Sequence, residues 1–529
     1  MRIIRSPSRR EFIKTTAGGV AAVYIGGCAP GRSRLPETQA NAVKQNRWQD
    51  FADIALARIK AGGCQYGDIR LLASQTQRVR AQDQRISGVS ENTSGGYGIR
   101  ALYKGAWGFA ASPSFHPADV AATADRAVEV ARASHLLIRE PVRLAPEPVH
   151  RDRIATRRNI DPFEVPLDEK TGLLLTVCDI LHRRPEIKRS NGYLWTQRDV
   201  KLFASTEGSL IDFDLLAVGG GFGATAVKDG DFQSRNFVVP FRRRGHEHVL
   251  EYDMASQAER IADQAVEKLA ADQPAAGPYD LVLDPAHLAL TIHESCGHPS
   301  ELDRVLGYEA NYAGTSFLTT DKLGSFQYGS KHVNLLADNV TEGHMASTGY
   351  DDDGVAGQKW HIIKEGILTG YCTNREVAGA IGETRSRGSC RADSWSSVPI
   401  VRISNIGLEP GSETLETLIA GVDRGIYIEG RGSFSIDQKR YNFQFGGDAF
   451  WEIKNGKRGR MLKNVIYQGI TPEFWNSCDG VGQRDTWRTY GFITCGKGQP
   501  GQSGWMTHSA SPARFRNVNV IDPKGAQET

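Results

Sequence analysis

The sequence contains no uninterrupted apolar run of about 20 residues, which excludes a multi-pass helical membrane protein. It also has no excess of charge of one sign. Its 64 Lys and Arg stand against 61 Asp and Glu, a net +3 over 529 residues, too balanced for a dedicated nucleic-acid binder. Cysteine is sparse, and eight in this length do not make a disulfide scaffold. Repeats of fixed period and long low-complexity tracts are missing too. Glycine is what the chain has in plenty: 57 residues, about 11% against a usual ~7%, which points to many tight turns and a β-rich body. The hydrophobic 40% and charged 24% are ordinary for a globular protein. A prior of about 150 residues per domain suggests about three domains.

The first residues read as an address. Arg9 and Arg10 lie in SRREFIK, the pattern of a twin-arginine export signal, and the apolar stretch Thr15 to Ile25 is too short to span a bilayer. Ile25-Gly26-Gly27-Cys28 resembles a bacterial lipobox. Residues 1–27 are therefore expected to be a signal peptide, with Cys28 the lipid-anchored first residue of an exported protein in the periplasm or on the cell surface. The polar stretch 28–45 reads as a tether. The leader carries a net +4, which leaves −1 for the rest, so the weak basicity says nothing about partners.

Beyond the tether, apolar residues at 48, 51, 54, 55 and 59 keep helical spacing until Gly62-Gly63. Alternating segments follow, two of them joined at Lys104-Gly105 as a hairpin, and helical periodicity returns from His116 to Leu137. Pro141, Pro146 and Pro148 mark a linker, and DQPAAGP at 272–278 marks another. The expected class is α+β: a helix, sheet, helix region over 46–140, a middle α+β region over 150–271, and a Gly-rich, β-dominated region over 279–525.

Three motifs read as structural. GGGFGA at 219–224 lacks the following helix that a phosphate-binding loop needs. GFITCGKG at 491–498 has Gly498 where a Walker loop needs Ser or Thr. Asp351-Asp352-Asp353 lacks EF-hand spacing and is expected to be a solvated turn.

The informative segment is DPAHLALTIHESCGHPSELDR, from Asp284. Asp284 followed by Pro285 favours a capped helix start, and the helix presents His293 and Glu294 near its end. His298 lies at i+5, where an ideal α-helix would rotate it about 140° from His293. Both imidazoles can reach one metal only if the backbone bulges or the helix ends between them, and Gly297 and Pro299 permit that break. Glu301 and Asp303 are candidates to orient an imidazole N–H, His508 is a further residue for the site's surroundings, and Cys296 reads as a bystander between the ligands.

HESCGHPSELDRVLGYEANYAGTSF is similar to the metal-bearing stretch of the TldD/PmbA family. The resemblance recurs at GGYGIRALYKGAWGFAA, at YDDDGVAGQKWHIIKEGILTGYCTNR and at TCGKGQPGQ, in order over nearly all of the chain after the tether. The histidine pair, absent from the PmbA branch, places the chain with the TldD type. The resemblance implies a zinc peptidase with His293, His298 and Cys495 as metal ligands and Glu294 as general base. A thiolate suits zinc, and neighbouring Lys497 favours its deprotonated form. The resemblance further implies a dimer, with itself or with a PmbA-type subunit, acting on flexible or unfolded peptides; the charge balance separately points to no nucleic-acid partner, and the lipobox to membrane contact only through the anchor at Cys28. The competing readings are a non-catalytic zinc-binding maturation or partner subunit, and a zinc amidase acting on a non-peptide amide. An intact Glu294 speaks against the first, since a structural site needs no base and normally has four protein ligands.

Overall fold

The computed structural model describes residues 45–522; the twin-arginine motif, Cys28 and nearly all of the tether lie outside the described residues. The chain after residue 45 begins with helix α1 (Gln45–Ala61). Two very long strands follow, β1 (Tyr66–Gln82) and β2 (Arg85–Tyr103). Lys104 and Gly105 both take positive φ and close the expected hairpin onto β3 (Ala106–Ser112). Helix α2 (Pro117–His135) completes this part. Where the sequence suggested two short strands, YGDIRLLAS and QRVRAQ, the chain runs on as one, because Ser74 to Gln77 pair on both sides, with β2 and with Thr196 to Asp199.

The middle region adds β4 (Arg151–Ala155), helix α3 (Leu167–Leu181), β5 (Ile187–Ser205), β6 (Leu210–Lys228), β7 (Asp231–Arg242) and helix α4 (Met254–Ala270). Its strands do not form a sheet of their own. They continue the first in the order β3-β2-β1-β5-β6-β4, with β7 also on β6. The proline linker at 141–149 is therefore a connection within one seven-stranded sheet. Odd-numbered residues of β1 (Ile69, Leu71, Val79, Ala81) pack under the helices, α1 and α2 at one end and α3 and α4 at the other. GGGFGA lies inside β6, paired on both sides, with no helix after it.

The remaining chain is strand-rich with short helices, so the α+β class expected from the sequence is the class observed. A nine-stranded sheet has β8 (Gly277–Leu283) at its centre, between β11 (Arg424–Glu429) and β14 (Ala513–Ile521). A six-stranded sheet runs through β9 (Leu335–Asp338), β10 (Ile406–Leu408) and β13 (Gln502–Ala510) to β12 (Arg488–Lys497) at its edge. Helix α5 (Pro285–Ile292) lies between the two sheets, against β12, β13 and β10 on one side and β11 on the other. The seven described cysteines are all unpaired.

Asp351-Asp352-Asp353 is not the solvated turn that its composition suggested; all three residues are buried. They sit on the face of the long sheet opposite the helices. Asp352 Oδ1 is 2.6 Å from Lys201 Nζ and Asp353 Oδ1 is 2.8 Å from Arg100 Nη2, which also meets Asp68 at 2.6 Å. The Asp351 carboxylate accepts from the backbone N–H groups of Asp353, Val355 and Cys390. Burial disfavours the charged form of Asp352, yet Lys201 and Arg70 outweigh it and hold the carboxyl at about 2. Composition could not show this, because the cations come from strands 150 to 280 residues earlier. Arg100→Met would leave two buried carboxylates without their counterion, and we expect a loss of about 3–5 kcal/mol in urea denaturation. An unchanged midpoint would show that the network does not bear on stability.

Candidate metal centre

Asp284 caps α5 as expected: its Oδ1 accepts from the His287 N–H at 2.8 Å, and Pro285 is the first helical residue. The α-helix stops at Ile292, and the next five residues, His293–Gly297, form a π turn. The bond that closes it runs from the His298 N–H to the His293 carbonyl, an i to i+5 link between the two histidines. One wider turn thus does what the α-helix could not and faces both rings the same way, 5.0 Å apart at their centroids. A short 3₁₀ turn, His298–Ser300, takes the chain out of the helix.

Carbonyls freed by the irregular turn find partners. Tyr328 Oη donates to Ser295 O at 3.1 Å and Ser300 Oγ to Gly297 O at 2.8 Å. Gly297 has an ordinary right-handed conformation, so the break does not use its conformational freedom, as the sequence suggested. It is needed for space: a Cβ there would meet Ile403 Cδ1 and Cγ2 at 3.0 Å.

Cys495 arrives from β12, where the pairing with β13 shifts register between Phe492 and Cys495. Its Sγ lies 3.5 Å from His298 Nε2. One ligand atom from each of His293, His298 and Cys495 falls within 4.8 Å of the others, and all three residues are buried. Tetrahedral zinc with bonds of about 2.0–2.3 Å sets its ligand atoms about 3.5 Å apart, so the donor set fits that ion with slight closure. Three donors leave a fourth position free, as in catalytic zinc sites.

The hydrogen bonds behind the rings fix their tautomers. The Ile406 carbonyl can only accept, so His508 Nδ1 carries the hydrogen on that 3.2 Å contact and its Nε2 is a lone pair. His293 Nδ1–H donates to that lone pair at 2.9 Å, which leaves His293 Nε2 unprotonated and facing the cluster. His298 Nδ1–H donates to Glu301 Oε2 at 2.9 Å, with the same result. Burial keeps all three imidazoles neutral: His293 and His298 both sit well below the usual histidine range, and His508 falls to about 3. Phe492 stacks flat on His293, centroids 4.7 Å apart.

Of the two carboxylates expected behind the site, Glu301 orients His298 while Asp303 turns away and holds Lys497 Nζ at 2.5 Å. Lys497 is therefore committed to carboxylates, and its expected support of the Cys495 thiolate is corrected. Burial pushes the Cys495 thiol up to about 11, and the cation opposing this is Arg402, whose Nη2 donates to the Cys495 carbonyl at 2.6 Å. Glu294 is buried beside the rings, and burial raises its carboxyl above the ordinary range against the pull of Arg440, whose Nη1 contacts Glu294 Oε2. Cys296 is buried in the apolar core and is not among the three converging donors. Neither Arg402 nor Arg440 was legible in the sequence, since each lies more than 90 residues from its partner. Phe492, three residues before Cys495, was open to notice.

Comparison with known proteins identifies the family. Residues 276–520 match the C-terminal domain of PmbA/TldA metallopeptidases, and residues 67–131 match domain 1 of the same family. Together these spans are more than half of the sequence, and the chain belongs to the PmbA/TldA (TldD/PmbA) metallopeptidase family. A metalloprotease of Methanothermobacter thermautotrophicus is 28% identical over 456 residues, 86% of this chain and 95% of the relative. The zinc metalloprotease TldD homolog of Saccharolobus solfataricus is 24% identical over 464 residues, 87% and 97% of the two chains. Among solved structures, TldE of Thermococcus kodakarensis superposes with a TM-score of 0.63 at 18% identity, covering 88% of this chain and 99% of that one. A Thermotoga maritima protein described as a putative modulator of a DNA gyrase has the same fold, with a TM-score of 0.69 at 16% identity over 90% and 100% of the chains.

Two substitutions probe the site. Gly297→Ala pushes a methyl into Ile403 and is expected to cost about 1–3 kcal/mol in thermal denaturation, with part of the loss restored by Ile403→Val. His508→Phe removes the acceptor that fixes the His293 tautomer, and zinc affinity measured by competition with a chelator should fall by about 10–100-fold.

Proposed function

We propose that this protein is a zinc metallopeptidase of the TldD type, exported by its twin-arginine signal and lipid-anchored at Cys28, that hydrolyses peptide bonds in flexible or unfolded substrates. The observation that carries the proposal is the convergence of His293, His298 and Cys495 within 4.8 Å, with Glu294 buried next in the chain to His293 and within electrostatic reach of Cys495. Relatives named as metalloproteases over most of their length support it. The proposed assembly is a dimer, with a second copy or with a PmbA-type subunit, and rests on the family resemblance.

The two Nε2 lone pairs and the Cys495 sulfur are the donors for the ion. Zinc held by them supplies a Lewis acid that polarises a carbonyl and brings the pKa of a water toward neutrality. Glu294 would accept a proton at its carboxylate from the attacking water and hand it to the leaving amine, and its raised pKa suits both halves of the exchange. Arg440 holds the carboxylate in position and spreads its charge. Glu301 and His508 keep the two imidazoles in the tautomer that offers Nε2. Cys495 would bind the ion as a thiolate, the one anionic donor, and would make it a weaker Lewis acid than an all-histidine set.

Residues 29–529 purified with metal analysis and incubated with a mixed peptide library test this. Glu294→Gln should keep its zinc and lose cleavage by about 10²–10⁴-fold, while Cys495→Ser should lose zinc. Equal cleavage by Glu294→Gln would remove the general base, and unchanged zinc in Cys495→Ser would remove the third ligand.

A further inference from the structure

A cleft of about 530 Å³ opens beside the metal centre, between the helix-free face of the long sheet and Gly491 to Thr494 of β12. It begins one residue before Cys495. A strand rises about 3.3 Å per residue, so the stretch from Cys495 back to Gly491 is about 13 Å long, the span of about four residues of extended chain.

Three arginines line this cleft, Arg78, Arg80 and Arg431, and no carboxylate among the described residues does. Among the described residues, none of the three has an acidic partner at ion-pair distance; Arg78 and Arg80 are exposed and Arg431 is half-buried. Arg78 and Arg80 stand on β1 with the side-chain direction opposite to Val79 and Ala81, which are in the core. Arg431 reaches the cleft from just beyond β11. Its guanidinium lies 4.6 Å from the Phe492 ring, which in turn stacks on His293. One cation is thus separated from the metal centre by a single aromatic ring.

The floor between the arginines is aromatic and is built in register. Arg78 pairs across β1 and β5 with Trp195, which pairs with Gly219 of β6. Arg80 pairs with Tyr193, which pairs with Gly221. The two glycines make room for rings: a Cβ at Gly219 would lie 2.3 Å from Phe241 Cδ1, and one at Gly221 would lie 2.5 Å from Phe237 O and 3.3 Å from the Tyr193 ring. Phe241 meets Trp195 edge to face at 5.4 Å. The GGGFGA motif, which lies inside a paired strand, shapes this surface.

We propose that the cleft is the specificity site of the enzyme and selects acidic peptides, with Arg78, Arg80 and Arg431 receiving Asp or Glu side chains within about four residues of the bond that is cut. The charge argument is direct. Unpaired cations on an apolar floor favour an anionic partner and exclude a cationic one, and the partly desolvated Arg431 gives the larger contribution. The aromatic rings supply contact area for the peptide between its charges. This rests on the peptidase reading for its chemistry but not for its binding step.

The test therefore measures binding without turnover, by fluorescence anisotropy on the zinc-loaded Glu294→Gln protein. The probes are one labelled peptide with Asp and Glu at several positions and its Asn and Gln counterpart. The acidic peptide should bind about tenfold more tightly, as two or three charge pairs permit, and the preference should shrink as salt rises. In Arg431→Gln the ratio should fall toward one, and in Arg78→Glu/Arg80→Glu it should invert; circular dichroism and zinc content verify that each variant is folded. Equal affinities for the two peptides, failure of both to bind, or arginine variants that weaken both alike would overturn the proposal. Cleavage of a mixed library separates this from the peptidase reading: cleavage without acidic preference sinks the cleft assignment alone, and acidic binding with no cleavage sinks the peptidase alone.

Discussion

One backbone hydrogen bond, from the His298 amide to the His293 carbonyl, is the constraint on which the metal centre depends. It widens a single turn at the end of α5 and so lets residues five apart face one point. Everything nearby is arranged to keep that turn. Tyr328 and Ser300 satisfy the freed carbonyls, Ile403 closes against Gly297, and the two sheets hold the helix from both sides. With the turn fixed, His508 and Glu301 set the proton positions, and two neutral lone pairs meet a sulfur from a strand nearly 200 residues away.

The two large parts of the chain meet across the helix-free face of the long sheet. At one place the junction is ionic, where the Asp triplet is enclosed by Arg70, Arg100 and Lys201. Further along the same strands the cations have no such partners and border open space instead. The physical difference is simple. Where a carboxylate from the C-terminal region is inserted, the charge is neutralised and buried; where none is, the arginines remain available to a ligand. The same face thus serves for assembly at one end and, in our proposal, for selection at the other.

Much of this was legible in the chain itself. Asp284-Pro285 marks the helix start, Lys104-Gly105 the hairpin, and the i+5 spacing of His293 and His298 demands a break in the helix. The α+β class followed from glycine content and from alternation bounded by helical periodicity. What misled was local composition. Three adjacent aspartates look solvated until strands from elsewhere bring cations, Lys497 looks like the partner of its near neighbour Cys495 until Asp303 claims it, and Gly297 looks like a conformational hinge until Ile403 packs against it.

The division has a physical reason. Helix starts, tight turns and the angular mismatch of an HExxxH spacing are short-range properties, fixed by dihedral preferences and by groups within a few residues of each other, and the sequence alone determined them. Ion pairing, desolvation and tautomer choice depend on what is brought within about 4 Å through space. Only the tertiary structure decided that Arg402 and not Lys497 stands by the thiol, that Arg440 holds Glu294, and that Arg78, Arg80 and Arg431, distant in the chain, share one acid-free cleft beside the metal centre.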